Sequence, residues 1–413
     1  MSGKNVEGST PVLKNSPAFL VVSWALLFAD SPALLASENV EIEFVGTARI
    51  PGDARDLSGD AALLENGEPR NRLGGFSALD YSDSQHVFAA MSDRGPDDGA
   101  VGYPCRVQLF EIAIRPGNAV PVEATNTRTV FFSDSHGLRF TGSSAMIAAT
   151  NTVSHRFDPE GFRFGPDKSM FVADEYGPVL IQFSSEGKEL KRFELPDHLV
   201  VANPDADKKK ENLANTSGRA SNRGMECLAM SADGTKLVGL MQSALIQDGE
   251  RTKDGVIHGR NCRLVEIEIS TGQLREFVYQ MDSVEHGNSE ILAYGPEEYL
   301  VLERDSLAGK KAGYRKLVHV TLAGATDIAG MKKLPSGNLP QEISPLNRTV
   351  FLDFLDPQWK LAGATMPEKI EGLTFGPMLN DGRRSLLVST DNDFESANDS
   401  LIWVFAVKML SSR

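Results

Sequence analysis

The chain predicts an all-β fold, a single-domain β-propeller, on three grounds. Beyond residue 38 no long stretch carries a helical period, whereas short apolar runs bounded by Gly, Pro, Asp and Asn recur to the C-terminus. One strand-turn-strand unit keeps returning, with an acidic or small residue at its entry and a polar exit. The 37 Gly and 21 Pro among 413 residues supply the turns that many short strands need.

In chain order, residues 1–37 stand apart. Lys4 and Lys14 precede an apolar run from Ala18 to Ala29, which Asp30 ends; small residues follow at Ala33, Ala36 and Ser37. The run is too short to span a bilayer and suits a signal-peptide core. Residues 1–37 therefore read as an export signal or disordered N-terminus, and 38–413 as the mature domain without a transmembrane segment.

The repeated unit then begins. Gly75-Phe76 leads to Val87-Phe-Ala-Ala-Met-Ser92, Glu160-Gly-Phe162 to Met170-Phe-Val-Ala-Asp174, and Met225-Glu-Cys227 to Leu237-Val-Gly-Leu-Met241. Ser289-Glu-Ile291 leads to Tyr299-Leu-Val-Leu302, and Ile370-Glu-Gly372 to Leu386-Leu-Val-Ser389. The entry glutamates Glu160, Glu226, Glu290 and Glu371 stand 66, 64 and 81 residues apart. A spacing near sixty suits a four-stranded blade with long loops, and residues 38–413 then give about six blades, with five and seven left open. The sixth blade is expected to join Val40-Glu-Ile-Glu-Phe-Val45 to the C-terminal Ser400–Val407, a closure that removes exposed edges. Two polar stretches, Asn203 to Ser221 and Gly324 to Pro345, read as loop excursions, the first a mobile one.

Charge and cysteine content narrow the chemistry. A net charge of −14, from 56 acidic and 42 basic residues, argues against a nucleic-acid partner and favours cations, or anions bridged by cations. Cys105, Cys227 and Cys262 have no metal-ligand spacing and read as small buried hydrophobes. The histidines lack zinc spacing, and no nucleophile elbow, P-loop or dinucleotide fingerprint occurs.

Several motifs taken together carry a resemblance. They are Ser92-Asp-Arg-Gly-Pro96, Asp158-Pro-Glu-Gly161, Asp174-Glu-Tyr-Gly-Pro178 and Asn222-Arg-Gly with Glu226. Ser289-Glu-Ile, Leu302-Glu-Arg-Asp305, Tyr314-Arg-Lys316 and Lys369-Ile-Glu-Gly372 with Asp391-Asn-Asp393 complete the set. From about residue 70 onward the pattern resembles the secreted "esterase-like activity of phytase", or phytase-like domain, family. The resemblance implies a β-propeller outside the cytoplasm. The Asp-Asp-Pro-Ala-Ile-Trp signature of true β-propeller phytases does not occur, so phytate hydrolysis is not implied.

In a propeller the first strand of each blade lines the channel, which is expected to bring Glu160, Glu226, Glu290 and Glu371 into one arc as catalytic carboxyls. Carboxylates so gathered repel, and need a cation, a donor or a proton. A hard ion such as Ca²⁺ would meet that need. Arg94, Arg223, Arg263 and Arg304, at or near the repeat positions, would meet it internally and could hold a substrate's acid group. In the competing reading the glutamates only cement the ring. The exit acids Asp93, Asp174, Glu175, Asp391 and Asp393 are candidate metal ligands, with capping of their own turns as the alternative. The expectation is an exported, monomeric hydrolase taking a small anionic phosphate or carboxylic ester with Ca²⁺. A non-enzymatic ligand- or protein-binding propeller and a metal-dependent lactonase-like enzyme stand beside it.

Overall fold

A computed structural model describes residues 40–147 and 155–409. The expected leader at residues 1–37 lies outside them. Strand β1 (Val40–Ile50) comes first in the chain but is the outermost strand of the last sheet. Blade 1 is β2 (Phe76–Ser82), β3 (Val87–Ser92), β4 (Arg106–Ile114) and β5 (Val122–Phe131). Blade 2 is β6 (Pro159–Phe164), β7 (Met170–Asp174), β8 (Val179–Phe183) and β9 (Glu189–Phe193). A short helix, α1 (Lys208–Ala214), precedes blade 3, which is β10 (Met225–Met230), β11 (Lys236–Met241), β14 (Asn261–Glu268) and β15 (Leu274–Gln280). The small ribbon β12 (Glu250–Arg251) and β13 (Ile257–His258) interrupts it. Blade 4 is β16 (Gly287–Gly295), β17 (Glu298–Arg304), β18 (Arg315–Thr321) and β19 (Asn347–Asp353). Blade 5 is β20 (Ile370–Met378), β21 (Arg384–Thr390), β22 (Ser400–Met409) and β1, in that order from the inside.

The ring therefore has five blades, not six. The end strands do pair, Val40 with Met409 through Ile50 with Ser400, but they complete the sheet that β20 and β21 begin. A period near sixty overcounts the blades, because the long loops are insertions within five repeats, the lower of the counts the spacing leaves open. Chain closure by hydrogen bonds leaves β1 covered on its inner edge, the physical gain expected of such a ring.

Five apolar clusters fill the gaps between neighbouring blades. Strand alternation feeds two of them from one sheet. On β17, Tyr299 and Val301 face blade 3, while Leu300 and Leu302 face blade 5. Sheets buried on both faces explain why the inner strands read as unbroken apolar runs. The three cysteines are free and buried. Residues 203–221 are more ordered than their composition suggests. Asp207 caps α1 through the Lys210 amide, and the buried Arg219 joins Glu211 at 2.6 Å and the Tyr176 carbonyl at 3.1 Å.

At the channel axis the inner strands are tied by one ion pair. Arg163, on β6, donates to the carbonyls of Leu79 at 3.1 Å, Phe162 at 2.6 Å, Ile291 at 2.6 Å and Leu373 at 3.3 Å. It also lies 3.2 Å from Glu290 Oε2, and Glu290 Oε1 accepts the Leu228 amide at 3.0 Å. The two side chains thus touch all five inner strands. Removing one partner of a buried pair leaves the other charge and its carbonyls stranded, at a cost of about 3–5 kcal/mol. Arg163→Met is therefore expected to lower the urea-unfolding free energy by that amount, with Glu371→Gln at the channel mouth costing less. A loss for Arg163→Met below about 1 kcal/mol would show that the ring holds without the knot.

Candidate functional site

Each inner strand breaks register at the same height. The bulges fall between Phe76 and Ala78, Pro159 and Gly161, Met225 and Cys227, Asn288 and Glu290, and Ile370 and Leu373. A bulge turns one extra residue out of the ladder, and here those residues are Ser77, Glu160, Glu226, Ser289 and Glu371. The glycine after Glu160 is required by packing, because a Cβ on Gly161 would stand 2.6 Å from the Leu228 Cβ. At Gly372 a Cβ would stand 2.7 Å from the Leu79 Cβ. The recurrent Glu-Gly thus combines an aimed carboxyl with a blade-to-blade contact.

The bulges open on a polar cleft of about 180 Å³ at the channel mouth. Asp93, Glu160, Glu226 and Glu371 line it, with Arg94, Arg223, Arg304, Lys369 and His286. The bases are unequally committed. Arg94 meets Asp158, Glu175 at 3.2 Å, Asp98 at 2.6 Å and the Asn222 carbonyl oxygen, so its terminal nitrogens are taken. Arg304 holds Glu371 at 2.7 Å and the Ser289 hydroxyl at 2.9 Å. Lys369 lies between Asp391, at 2.9 Å, and Asp393. Arg223 is different: its guanidinium meets no partner among the described residues.

The acids divide in the same way. Glu160 and Glu226 meet no basic group among the described residues and reach instead to Asp158 and Glu175. Burial, then Glu226 and Asp158, push the Glu160 carboxyl well above its usual range. Burial, then Glu175 and Glu371, do the same to Glu226. Burial also raises Asp158, to about 7, against the pull of Arg94. Glu175 resists burial because Arg94, Arg219 and the Gly224 amide hold it down at about 2. The two neighbours are thus pushed in opposite directions, Asp158 up and Glu175 down. Burial and Asp391 raise Asp93 despite Lys369. Glu371 rises by burial, opposed by Lys369 and Arg304.

Oxygens of Asp158, Glu160 and Glu175 lie within 4.8 Å of one another. This all-carboxylate set is of the hard type that suits Ca²⁺ or Mg²⁺, although Arg94 already neutralises part of it.

Two of the residues expected at the mouth lie elsewhere. Glu290 stands one residue past the blade 4 bulge, where blade 2 has Gly161 and blade 3 has Cys227, so it points down the axis to Arg163. A shift of one position reverses the direction of a strand side chain; Ser289 holds the place that glutamate fills in blades 2, 3 and 5. Arg263 is fully buried in blade 3, where it binds Asp248 at 2.7 Å and Glu276 at 2.9 Å, far from any role with a substrate. Asp174 does not line the cleft. It accepts the amides of Asp158 at 2.9 Å and Gly177 at 2.7 Å, capping the turn after β7. Glu175 stands behind Arg94 and joins Asp158 and Glu160, whereas Asp391 and Asp393 are held by Lys369 and stand apart from that set.

Sequence reasoning passed over Asp158, Lys369 and His286 as site residues. The first two sit inside motifs already singled out, Asp-Pro-Glu-Gly and Lys-Ile-Glu-Gly. Nothing near His286 in the chain marks it.

The phytase-like family, described as "esterase-like activity of phytase", matches residues 71–394. A protein of Arthroderma benhamiae described as "Uncharacterized secreted protein" is 30% identical over 240 residues, 48% of this chain. The match spans 46% of that relative's length. Among solved structures, a GH43 β-1,3-galactosidase overlaps with a TM-score of 0.39 at 8% identity, covering 84% of this chain and 93% of its own. The periplasmic gluconolactonase of Pseudomonas aeruginosa gives 0.34 at 12%, covering 87% and 93%. Overlap at that level carries no residue role across.

The raised carboxyls make stability depend on pH. Burial lifts Asp174 to about 6 and Asp158 to about 7. Above the ordinary carboxyl range the folded chain then binds more protons than the unfolded one, so stability falls as pH rises. Their contribution is complete at the ordinary carboxyl values and is lost as pH passes the folded ones. In chelator, the melting temperature is expected to drop by several degrees between about pH 5 and pH 8. A flat scanning-calorimetry profile over that window would contradict this account of the cluster.

Proposed function

This chain belongs to the phytase-like family, "esterase-like activity of phytase", and from that premise we propose that its channel mouth hydrolyses phosphate or carboxylic esters with help from a divalent cation. One observation carries the reading: Glu160 and Glu226, which meet no basic group among the described residues, share a cleft with Arg223, a guanidinium without a partner among them. Arg94, Arg304 and Lys369, the other Arg and Lys of the cleft, are each committed to acids of the protein.

Arg223 would take the acid group of the ester, two oxygens to one planar fork. Glu226, raised by burial and by its acidic neighbours, would keep a proton near neutral pH and give it to the departing oxygen. Asp158, Glu160 and Glu175 would hold the cation. Bound there, a hard cation supplies charge neutralisation and polarises an ester oxygen. Without it an acidic mouth on a protein of net charge −14 would repel an anionic ester. The secreted relative and the apolar run at residues 18–29 support export, and no helix among the described residues is long and apolar enough to cross a membrane.

The competing reading is a binding propeller with structural carboxyls, which the closed pairs Arg304–Glu371 and Lys369–Asp391 favour. Turnover separates them. On p-nitrophenyl acetate, butyrate and phosphate the protein should be active with Ca²⁺ and lose activity in EDTA. Glu226→Gln should lower kcat by about 10²-fold, and Arg223→Met should raise KM by about tenfold on anionic substrates only. Saturating Ca²⁺ should raise the melting temperature, by the equivalent of about 2.7 kcal/mol at a hundredfold excess over Kd. No turnover on any substrate would leave the binding reading; an unchanged melting temperature would remove the cation.

A further inference from the structure

His286 immediately precedes β16 and borders the cleft, yet no carboxyl of the mouth holds it. Its ring is fixed from behind. Nδ1 lies 2.8 Å from Glu303 Oε1, and the Tyr314 ring packs on it at 4.0 Å with planes 35° apart. Glu303 is fully buried and is itself held by the Tyr279 hydroxyl at 2.6 Å and Arg348 at 2.5 Å. A carboxylate so placed only accepts, so Nδ1 carries a proton, and the neutral tautomer that fits this contact has its lone pair on Nε2. Nε2 has no partner among the described residues.

We infer that His286 is the general base of the proposed hydrolysis, with Glu303 as its positioning residue. The inference rests on the reading of the cleft as a hydrolase. In the step, Nε2 takes a proton from water as the water oxygen bonds to the ester carbon or phosphorus. The bond to the alcohol oxygen breaks as that oxygen takes the proton of Glu226, and the imidazolium proton returns through solvent to re-protonate Glu226, so ester and water give acid and alcohol with no change of oxidation state. Glu303 stabilises the imidazolium formed on the way, and Arg348 and Tyr279 keep Glu303 from turning. The other charged or titratable groups around the ring are Tyr314, whose hydroxyl donates to Asp282 at 2.6 Å, Asp282 itself, and Glu285 at the cleft rim. Lys316 lies over the far side of the Tyr314 ring, 4.7 Å from its centre.

The test compares His286→Asn, whose side-chain amide can still donate to Glu303, with Glu303→Gln and Glu226→Gln on the p-nitrophenyl panel. His286→Asn should lose about 10²–10³-fold in kcat with little change in melting temperature, and added imidazole should restore part of it. The acidic limb of the kcat/KM profile should vanish in His286→Asn and move to lower pH in Glu303→Gln. Activity and limb retained in His286→Asn, while Glu226→Gln is impaired, would overturn the role of His286 and leave the hydrolase. A wild-type protein inactive on the whole panel would overturn both. Should His286→Asn fail to melt cooperatively, diethyl pyrocarbonate decides on the wild type. Modification of His286, followed by peptide mass, must then parallel loss of activity and reverse with hydroxylamine; loss of one without the other refutes the assignment.

Discussion

Arg163 and Glu290 fill the place where a ring of five sheets is hardest to close. Inner-strand carbonyls converge there on Arg163, and an unpaired buried carbonyl costs as much as a lost hydrogen bond. One guanidinium, with five donors in a rigid plane, reaches carbonyls on blades 1, 2, 4 and 5. The missing blade is joined through Glu290 and the Leu228 amide. Asp80 repeats the device lower in the channel, accepting the Phe164 amide at 2.8 Å and the Thr374 hydroxyl at 3.1 Å. With these groups on the axis, the polar cleft lies above them at the mouth.

The electrostatics of the mouth follow from the bulges. The same backbone irregularity in each blade turns a side chain inward, and three of those five side chains are carboxyls. They are brought close by closure of the ring, not by any local preference. The protein answers the repulsion partly with Arg304 and Lys369 and leaves Glu160 and Glu226 without a base among the described residues. Arg94 has a related task one layer back, binding Asp158 and Glu175 together so that one of them stays ionised. Its contacts are internal, and this distinguishes it from Arg223, about two blades later in the chain and in the same wall.

The excursions between blades are fastened by charges as well. Arg263 joins Asp248 to Glu276, Glu276 meets His198 at 2.9 Å, and Asp248 accepts the Leu334 amide at 2.6 Å. This staple pins the segment containing Leu334 against blade 3, where Ile328, Leu334 and Ile343 cover Val278. An arginine at a repeat position thus serves the outer wall of a blade, a use that spacing alone does not distinguish from the mouth.

Alternating apolar strands, a recurring Glu-Gly entry and terminal strands able to pair were enough to define an all-β ring, because strand period and turn residues are local properties of the chain. The same local signals placed Glu160, Glu226 and Glu371 at equivalent positions. They could not separate Ser289 from Glu290, since a single-residue bulge decides which of two neighbours faces the mouth. Nor could they fix the number of blades, because an insertion within a blade lengthens the repeat as a new strand would. The partnership of His286 with Glu303 and the solitude of Arg223 arose only from tertiary packing. Side-chain direction and desolvation depend on what the other blades bring alongside, and residues far apart in the chain supply it.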